Sequence, residues 1–452
     1  MSTRTGIPHL LALRDELNTA IDGLVASSAP LPALDDLAAP VSAPSPAAME
    51  VLAMAKEMTA LLQGTAAAVD KAFSVHIPSC LRVAVEAHVV EALEAARKEG
   101  KTALHVDEIA KWSAINSAKL ARVLRLLAAN HFFVEIEPDT FALNRCALSL
   151  GTGKTVEELK NTKDIFSNTD GLAALVCHTA DDVMKGAAHL ADVLFDPSTA
   201  NSYSPAECAT PRAWGVDEPI WEYWARPGHE HMLSRFGTAM RGMVLMSGGN
   251  GALNGFPFQD LPDCALIVDV GGGVGTTLLD IAQVAPQARL ILQDRKEVIE
   301  GEALKLWEKA APGDLKSGRV QLMPHDFFTA QPVKGADVYF MRTVIHDWAD
   351  DLSLQILNHL SAAAAPHSRL ILCEQSYSYL PTLTTPKKRV VNPFPYSMDL
   401  QMLSAINAME RTKEQYAALG RKAGWVLRKV WETGEGGKDG LFRQYEFALA
   451  EK

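Results

Sequence analysis

Residues 266–295 read LIVDVGGGVGTTLLDIAQVAPQARLILQDR, and the fold turns on how this stretch divides. An apolar run, LIVDV, is followed at once by Gly271, Gly272, Gly273 and Gly275, then by a segment with helical spacing, then by a second apolar run that ends on Asp294. Strand, glycine loop, helix and strand in this order form the repeating unit of a parallel sheet covered by helices. Glycines let backbone approach a ligand closely, and an acid roughly 20 residues beyond the loop can hold a ribose hydroxyl. Together they point to an adenosine-containing cofactor. The dinucleotide fingerprint asks for Gly or Ala at its sixth position, where the helix nears the sheet; here that position is Thr276. The third strand runs into HDFF, which offers Asp326 to an adenine amino group and Phe327 to its ring face. That set suits adenosylmethionine better than nicotinamide.

Downstream the alternation continues through ADVYFMRTV, DLSLQILNHLSAAAA and RLILCEQ, apolar strands separated by helices, with ligands expected at the strands' carboxyl ends. The chain closes on WVLRKVWETG and QYEFALAEK, two strand-like runs about a Gly-rich turn, so the last strand is expected to run antiparallel as a reversed edge. His346, in VIHDWADD, directly follows the strand ADVYFMRTV and so belongs to the edge on which the glycine loop opens. A histidine there can be a packed core residue, a metal ligand or a proton acceptor. Its place at the sheet edge favours the acceptor, since neutral imidazole can take a phenolic proton as the oxygen attacks a sulfonium methyl in line. Glu374, closing RLILCE, and Glu410, in NAMERTKEQY, are candidate carboxylates to orient the ring. Asp350 and Asp351 open the next helix and are explained there by capping and the helix dipole; with Asp347 they form an acid cluster that is not taken as a metal site.

Upstream, Leu10, Leu11, Leu13, Leu17, Ile21 and Leu24 mark an amphipathic helix, followed by a tether, SSAPLPALDDLAAPVSAPSPAA. That helix can bury its stripe on its own domain or on a partner subunit. Residues 1–49 are thus helix and tether. Over 50–150 the segment HVDEIAKWSAINSAKLARVLRLLAANHFFVEIEPDTFALN predicts helix, turn, helix and two short strands, with Ser117 as N-cap and Leu120, Val123, Leu124 and Leu127 on one face. This is a winged-helix pattern. Lys119, Arg122 and Arg125 could touch phosphate, but Glu135, Glu137 and Asp139 make the wing acidic. Residues 151–255 are a mainly helical connector rich in Trp, Phe and Met, and 256–452 form the cofactor-binding domain.

A length of 452 residues suits two domains, and 48% hydrophobic with 21% charged residues suits a globular chain. A net charge of −11 disfavours nucleic acid as a partner. The six cysteines show no C-x-x-C spacing, so free thiols in a reducing cytoplasm are expected. No apolar run is long enough for a membrane helix, and the N-terminus does not read as a signal peptide.

The motifs VDVGGGVG, LQDR, HDFF, YFMRTVIHDWADD, LILCEQ and MERTKEQY together resemble the class I S-adenosylmethionine-dependent O-methyltransferases of the plant caffeate type and their fungal secondary-metabolite relatives. The resemblance spans nearly the whole chain. It implies a Rossmann-like α/β seven-stranded methyltransferase sheet with a reversed last strand, and a mainly helical N-terminal winged-helix domain that makes a homodimer. It implies S-adenosylmethionine as methyl donor, S-adenosylhomocysteine as product, and no metal. Gly271, Gly273, Gly275, Asp294, Arg295, Asp326, Phe327 and Arg342 would contact the cofactor. His346 would be the general base, flanked by Glu374 and Glu410. Phe236, Met240 and Met402 would line the pocket of a small aromatic acceptor carrying a phenolic hydroxyl. Arg342 stands where the plant enzymes usually have lysine, Val244 where they have serine, and the segment SYLPTLTTPKKRVVNPFPYSMD is longer than theirs. Two rivals follow: a relative that uses the same cofactor for pericyclic chemistry, and a DNA-binding regulator. Retention of His346 and both glutamates speaks against the first, the acidic wing against the second.

Overall fold

The structure is a computed structural model that describes residues 6–39, 44–246, 251–375, 393–433 and 442–451. The described residues form two compact units, one built from 6–188 and Ile220–Met246, the other from His189–Pro219, 251–375 and 393–451.

The first unit is mainly helical. It holds a small antiparallel sheet of β1 (Leu104–His105), β2 (Phe133–Glu137) and β3 (Thr140–Leu143) in the order β1-β3-β2. The helix Ser117–Ala129 precedes the hairpin and buries Leu120, Ala121, Leu124 and Leu127, with Val123 packed against the same core. Its N-cap is not Ser117 but Asn116, whose side chain accepts from the Lys119 amide at 3.2 Å. Asparagine is as good a cap as serine, and one residue earlier it meets the first free amides. Arg125 is drawn to the wing it was set against: it donates to Glu135 at 2.7 Å and to Asp139 at 2.8 Å. The helix Ile7–Ala26 packs on Pro46–Gln63 of its own chain, with His9 and Glu57 3.4 Å apart, yet only Leu13 and Met54 of the pair are fully buried. Ile7, Leu11, Ile21 and Val25 stay exposed. The tether is pinned, since the Arg145 amide donates to the Leu34 carbonyl at 2.7 Å and its guanidinium to the Ala39 carbonyl at 2.8 Å.

The second unit carries a sheet of seven strands: β4 (Leu266–Val270), β5 (Arg289–Asp294), β6 (Val320–Pro324), β7 (Val338–Arg342), β8 (Arg369–Gln375), β9 (Trp425–Glu432) and β10 (Phe442–Leu449), in the order β6-β5-β4-β7-β8-β10-β9. Pairing from β6 through β8 is parallel, and β10 runs antiparallel to both β8 and β9. The inner strands read as unbroken apolar runs because both faces are covered. Period-two alternation sends Ile267, Leu292, Val338, Phe340 and Ile371 to one core with Leu278 and Trp307, and Val268, Val270, Tyr339, Met341 and Leu372 to the other with Leu357 and Tyr416.

The last strand is reversed, as expected, but it is not the edge. It is inserted between β8 and β9, which places the buried Phe442, Tyr445 and Phe447 inside the sheet and leaves the exposed Arg428 and Lys429 of β9 on the rim. Charged side chains on an edge strand discourage pairing with another chain. The Gly-rich turn between these strands, and residues 376–392 of the long segment before the next helix, lie outside the described residues.

Candidate active site

The parallel strands end together on one side of the second unit's sheet, and the loops that leave them build the site. After β4 the chain passes through Gly271, Gly273 and Gly275, all with positive φ of 71°, 60° and 85°. Each glycine answers a different demand. A Cβ on Gly272 would stand 2.4 Å from Asp269 Oδ2 and 2.6 Å from Leu292 Cδ1, and one on Gly275 would stand 2.5 Å from Trp307 Nε1. A Cβ on Gly271 would meet Val344 Cγ2 at 3.0 Å and Phe327 Cε1 at 3.4 Å, whereas one on Gly273 would meet nothing within 4 Å. The loop is therefore packed from below and open above. Asp294, at the end of β5, accepts from the Gly273 amide at 2.8 Å and from the Arg295 amide at 2.8 Å. Asp269 is fully buried with neither carboxylate oxygen hydrogen-bonded among the described residues, and burial, reinforced by nearby Asp294 and opposed by Arg342, pushes its carboxyl up to about 7.

β7 leads into the second loop. Thr343 adopts φ 49°, a left-handed conformation that costs a β-branched residue about 1–3 kcal/mol and persists only where the surroundings impose it. Its amide donates to the Cys373 carbonyl at 3.1 Å. The turn it starts delivers the Val344 and Ile345 amides to Glu374 Oε1 at 3.1 and 2.9 Å, and swings His346 to Glu410, with Nδ1 2.9 Å from Oε1. Nε2 of His346 lies 3.3 Å from Asp347 Oδ1. Glu410 is itself set by Asp399 of the helix Phe394–Ile406, whose carboxylate accepts the Glu410 amide at 2.9 Å. Arg411, fully buried, donates to the carbonyls of Ile345 and Trp348 at 2.9 and 2.8 Å and to Asp350 Oδ1 at 3.0 and 2.9 Å.

The charges explain the protonation. Burial alone would push His346 down, but Asp347, Glu410 and Glu374 outweigh it and raise the imidazole to about 10. Glu374 is raised to about 7 by burial and by Glu410, against the opposing His346 and the two amides it accepts. Asp347 is raised to about 6 by burial, with His346 opposing and Glu410 adding to the rise. The carboxylates thus favour the protonated imidazole, with Glu410 hydrogen-bonded to Nδ1 and Asp347 Oδ1 3.3 Å from Nε2.

His346, Glu410 and Glu374 thus come together as the motifs suggested, but only Glu410 touches the imidazole; Glu374 touches the backbone beside it. Phe327 lies against the glycine loop and within 5.9 Å of Trp348, ring to ring, so the HDFF segment joins loop and turn. Asp326 is exposed and accepts the Phe328 amide at 2.9 Å. Arg295 is exposed. Arg342 sends its guanidinium to Thr277 Oγ1 at 3.0 Å and over the Phe442 ring at 5.0 Å. Met402 is buried on the helix that carries Asp399. Phe236 and Met240 lie on the helix Glu230–Met246 of the first unit, where Phe236 packs with His178, Trp221 and Trp224 at 5.4, 5.1 and 5.0 Å and Met240 rests on that unit's core. The N-cap of the helix Asp350–Ala363 is Ala349, which has no side-chain cap; Asp350 serves Arg411 instead, Asp351 accepts the Leu352 amide at 2.9 Å, and both acids stand in the first turn as the dipole favours. Asp347, Asp399 and Arg411 were not marked as site residues by the sequence. Among the described residues no group of three or more His, Cys, Asp and Glu side chains could hold a metal ion, and no helix is long and apolar enough to cross a membrane.

Residues 189–426 match the O-methyltransferase domain family. An O-methyltransferase of Armillaria gallica is 37% identical over 374 residues, covering 78% of this chain and 78% of the relative. The 4-O-methyltransferase 1 of Phanerochaete chrysosporium is 33% identical over 384 residues, covering 80% of each. Among solved structures, OxaC in complex with sinefungin and meleagrin shares the fold at a TM-score of 0.72, 20% identity, and 97% and 98% coverage of the two chains. LepI in complex with SAM does so at 0.67, 20% identity, and 97% and 99% coverage. The chain belongs to the O-methyltransferase family and is an enzyme of methyl transfer.

Proposed function

We propose that this O-methyltransferase moves the methyl group of S-adenosylmethionine to a phenolic hydroxyl of a small aromatic metabolite, with His346 as general base. The observation that carries this reading is the imidazole at the sheet edge with Nδ1 on the buried Glu410 and Nε2 3.3 Å from Asp347 Oδ1, two residues from Val344, whose side chain packs on the glycine loop. The loop residues fit the donor: Gly273 has open space above it, the buried oxygens of Asp269 are unpaired beneath, and Asp294 keeps acceptor capacity for a ribose. Asp326 and Phe327 would flank the adenine, with Gly271, Gly275, Arg295 and Arg342 completing the family set. When bound, S-adenosylmethionine supplies an electrophilic methyl on a sulfonium whose positive charge opposes a protonated imidazole.

The chain's own residues handle the proton. As an acceptor hydroxyl takes the place of Asp347 beside Nε2, the imidazolium gives up its Nε2 proton to solvent, and the neutral Nε2 then accepts the hydroxyl proton as the oxygen forms its new bond. Glu410 fixes the tautomer and stabilises the imidazolium that results. Met402 offers a soft apolar surface to an aromatic ring; Phe236 and Met240 enter through the family resemblance alone. Fungal relatives named as O-methyltransferases support a place in secondary metabolism. The exposed apolar stripe of the N-terminal helix, and the helix-turn-helix with its hairpin, support a winged-helix homodimer, and the engagement of Arg125 by Glu135 and Asp139 disfavours DNA. Six free cysteines support a reducing compartment.

Incubation with isotopically labelled donor and a panel of phenols tests the reading. Wild type is expected to label at least one phenol, and His346→Ala to lose turnover by about 1000-fold with donor affinity kept. Labelling of amines or carboxylic acids in preference to phenols, or turnover unchanged in His346→Ala, overturns it.

A further inference from the structure

Two buried residues of opposite charge grip the backbone of the Thr343–Trp348 turn without touching the imidazole it carries. Glu374, on β8 and fully buried, places one oxygen against the amides of both Val344 and Ile345. Arg411, also fully buried, places its fork against the carbonyls of Ile345 and Trp348, and its remaining donors against Asp350 and Ser353. Ser353 reinforces the grip by donating to the Trp348 carbonyl at 3.0 Å. The turn starts from Thr343 in the left-handed region, a conformation the chain does not keep unaided. Every polar group of Ile345, the residue before His346, is thereby held by a buried charge.

We propose that Glu374 and Arg411 are positioning residues that clamp the turn from its amide and its carbonyl sides, and that of the two glutamates only Glu410 acts on His346 directly. This rests on His346 being the base. It assigns the two glutamates different work: Glu410 needs its charge and Glu374 needs an acceptor oxygen. It also gives the buried arginine of MERT a part in the reaction without contact with donor or acceptor. A bidentate guanidinium that spans two carbonyls and a carboxylate cannot be replaced by the single ammonium of lysine.

The test reads the nitrogen-15 resonances of the His346 imidazole in the full chain without ligand, assigned by their loss in His346→Gln. In wild type, Nδ1 is expected to show the signature of a nitrogen hydrogen-bonded to a carboxylate. Glu374→Gln, which keeps an oxygen for both amides, is expected to preserve that signature. Glu374→Leu and Arg411→Lys are expected to lose it while the other imidazole resonances stay in place, which also reports that each variant is folded. On whichever phenol the panel identifies, Glu374→Leu and Arg411→Lys are expected to lower kcat by about 100-fold, the scale of an ångström's misplacement, with KM for the acceptor little changed. Loss of the signature in Glu374→Gln equal to that in Glu410→Gln overturns the division of roles. A wild-type signature in Arg411→Lys or Glu374→Leu overturns the clamp. The imidazole reading needs no acceptor, so failure of the phenol assignment and failure of the clamp are told apart.

Discussion

The glycine loop and the histidine turn meet at Val344, whose side chain lies 3.0 Å from where a Cβ on Gly271 would stand, yet the two are held in shape by opposite means. The loop depends on side chains that are missing. Three of its glycines take positive φ, and two have no room for a Cβ because Asp269, Leu292 and Trp307 occupy the space. The turn depends on side chains that are present, buried and charged: Glu374, Glu410 and Arg411. A donor-binding loop needs backbone laid open to a ligand, and small residues achieve that. A general base needs one nitrogen aimed and its protonation set, which takes carboxylates in a low-dielectric site.

The contrast can be broken from the loop side first. Gly272→Ala would place a methyl 2.4 Å from Asp269 Oδ2, and donor affinity is expected to fall on the order of 100-fold, the upper end of overpacking costs, while the His346 imidazole signature stays unchanged. Calorimetric titration with donor reads the first quantity; a variant that binds donor as wild type does would show the loop to be more yielding than its packing implies.

Asp269, at the end of β4 beneath the loop, is a buried carboxyl with neither oxygen hydrogen-bonded among the described residues, and it tests whether its charge is tolerated rather than needed for the fold. Its carboxyl stands near 7 in the folded protein against an ordinary value near 4, so the folded state binds the proton more tightly. The stability it contributes is complete below the ordinary value and is lost as pH rises through 7. Asp269→Asn is therefore expected to raise the ligand-free protein's stability at pH 8 by on the order of 2 kcal/mol and to leave it nearly unchanged at pH 4. Denaturant melts at the two pH values measure this; equal effects at both would remove the titration of Asp269 from the account.

On the turn's side, Asp347 raises His346 and lies 3.3 Å from its Nε2. Asp347→Asn is expected to move the acid limb of the kcat profile to lower pH and to raise the rate at pH 7 about threefold. A rate that falls instead would mean that Asp347 helps the acceptor more than it restrains the base.

The same contrast explains what could be read from the residues alone. The sheet was legible because apolar strands alternating with helices have one economical packing, and the glycine loop because only glycine meets its demands. His346 and Glu410 were legible through their place at strand and helix ends. The insertion of β10 was not, because a terminal hairpin can join a sheet by either strand, and the choice rests on which of the two buries more apolar surface. Asn116 displaced Ser117 as a cap because both are good caps one residue apart. Arg411, Asp399 and the true use of Asp350 were hidden because each acts across more than ten positions of sequence on backbone or a single carboxylate, and no local pattern records such a contact.

The most direct test of the base and its partner is the pH dependence of kcat, at saturating donor and acceptor, for wild type and Glu410→Gln. Glu410 raises His346 through both its charge and its hydrogen bond, so the variant's acid limb should move to lower pH while its plateau falls by about 100-fold. A Glu410→Gln profile that superimposes on wild type in both limb and plateau would contradict the assignment of His346 as a base oriented by Glu410.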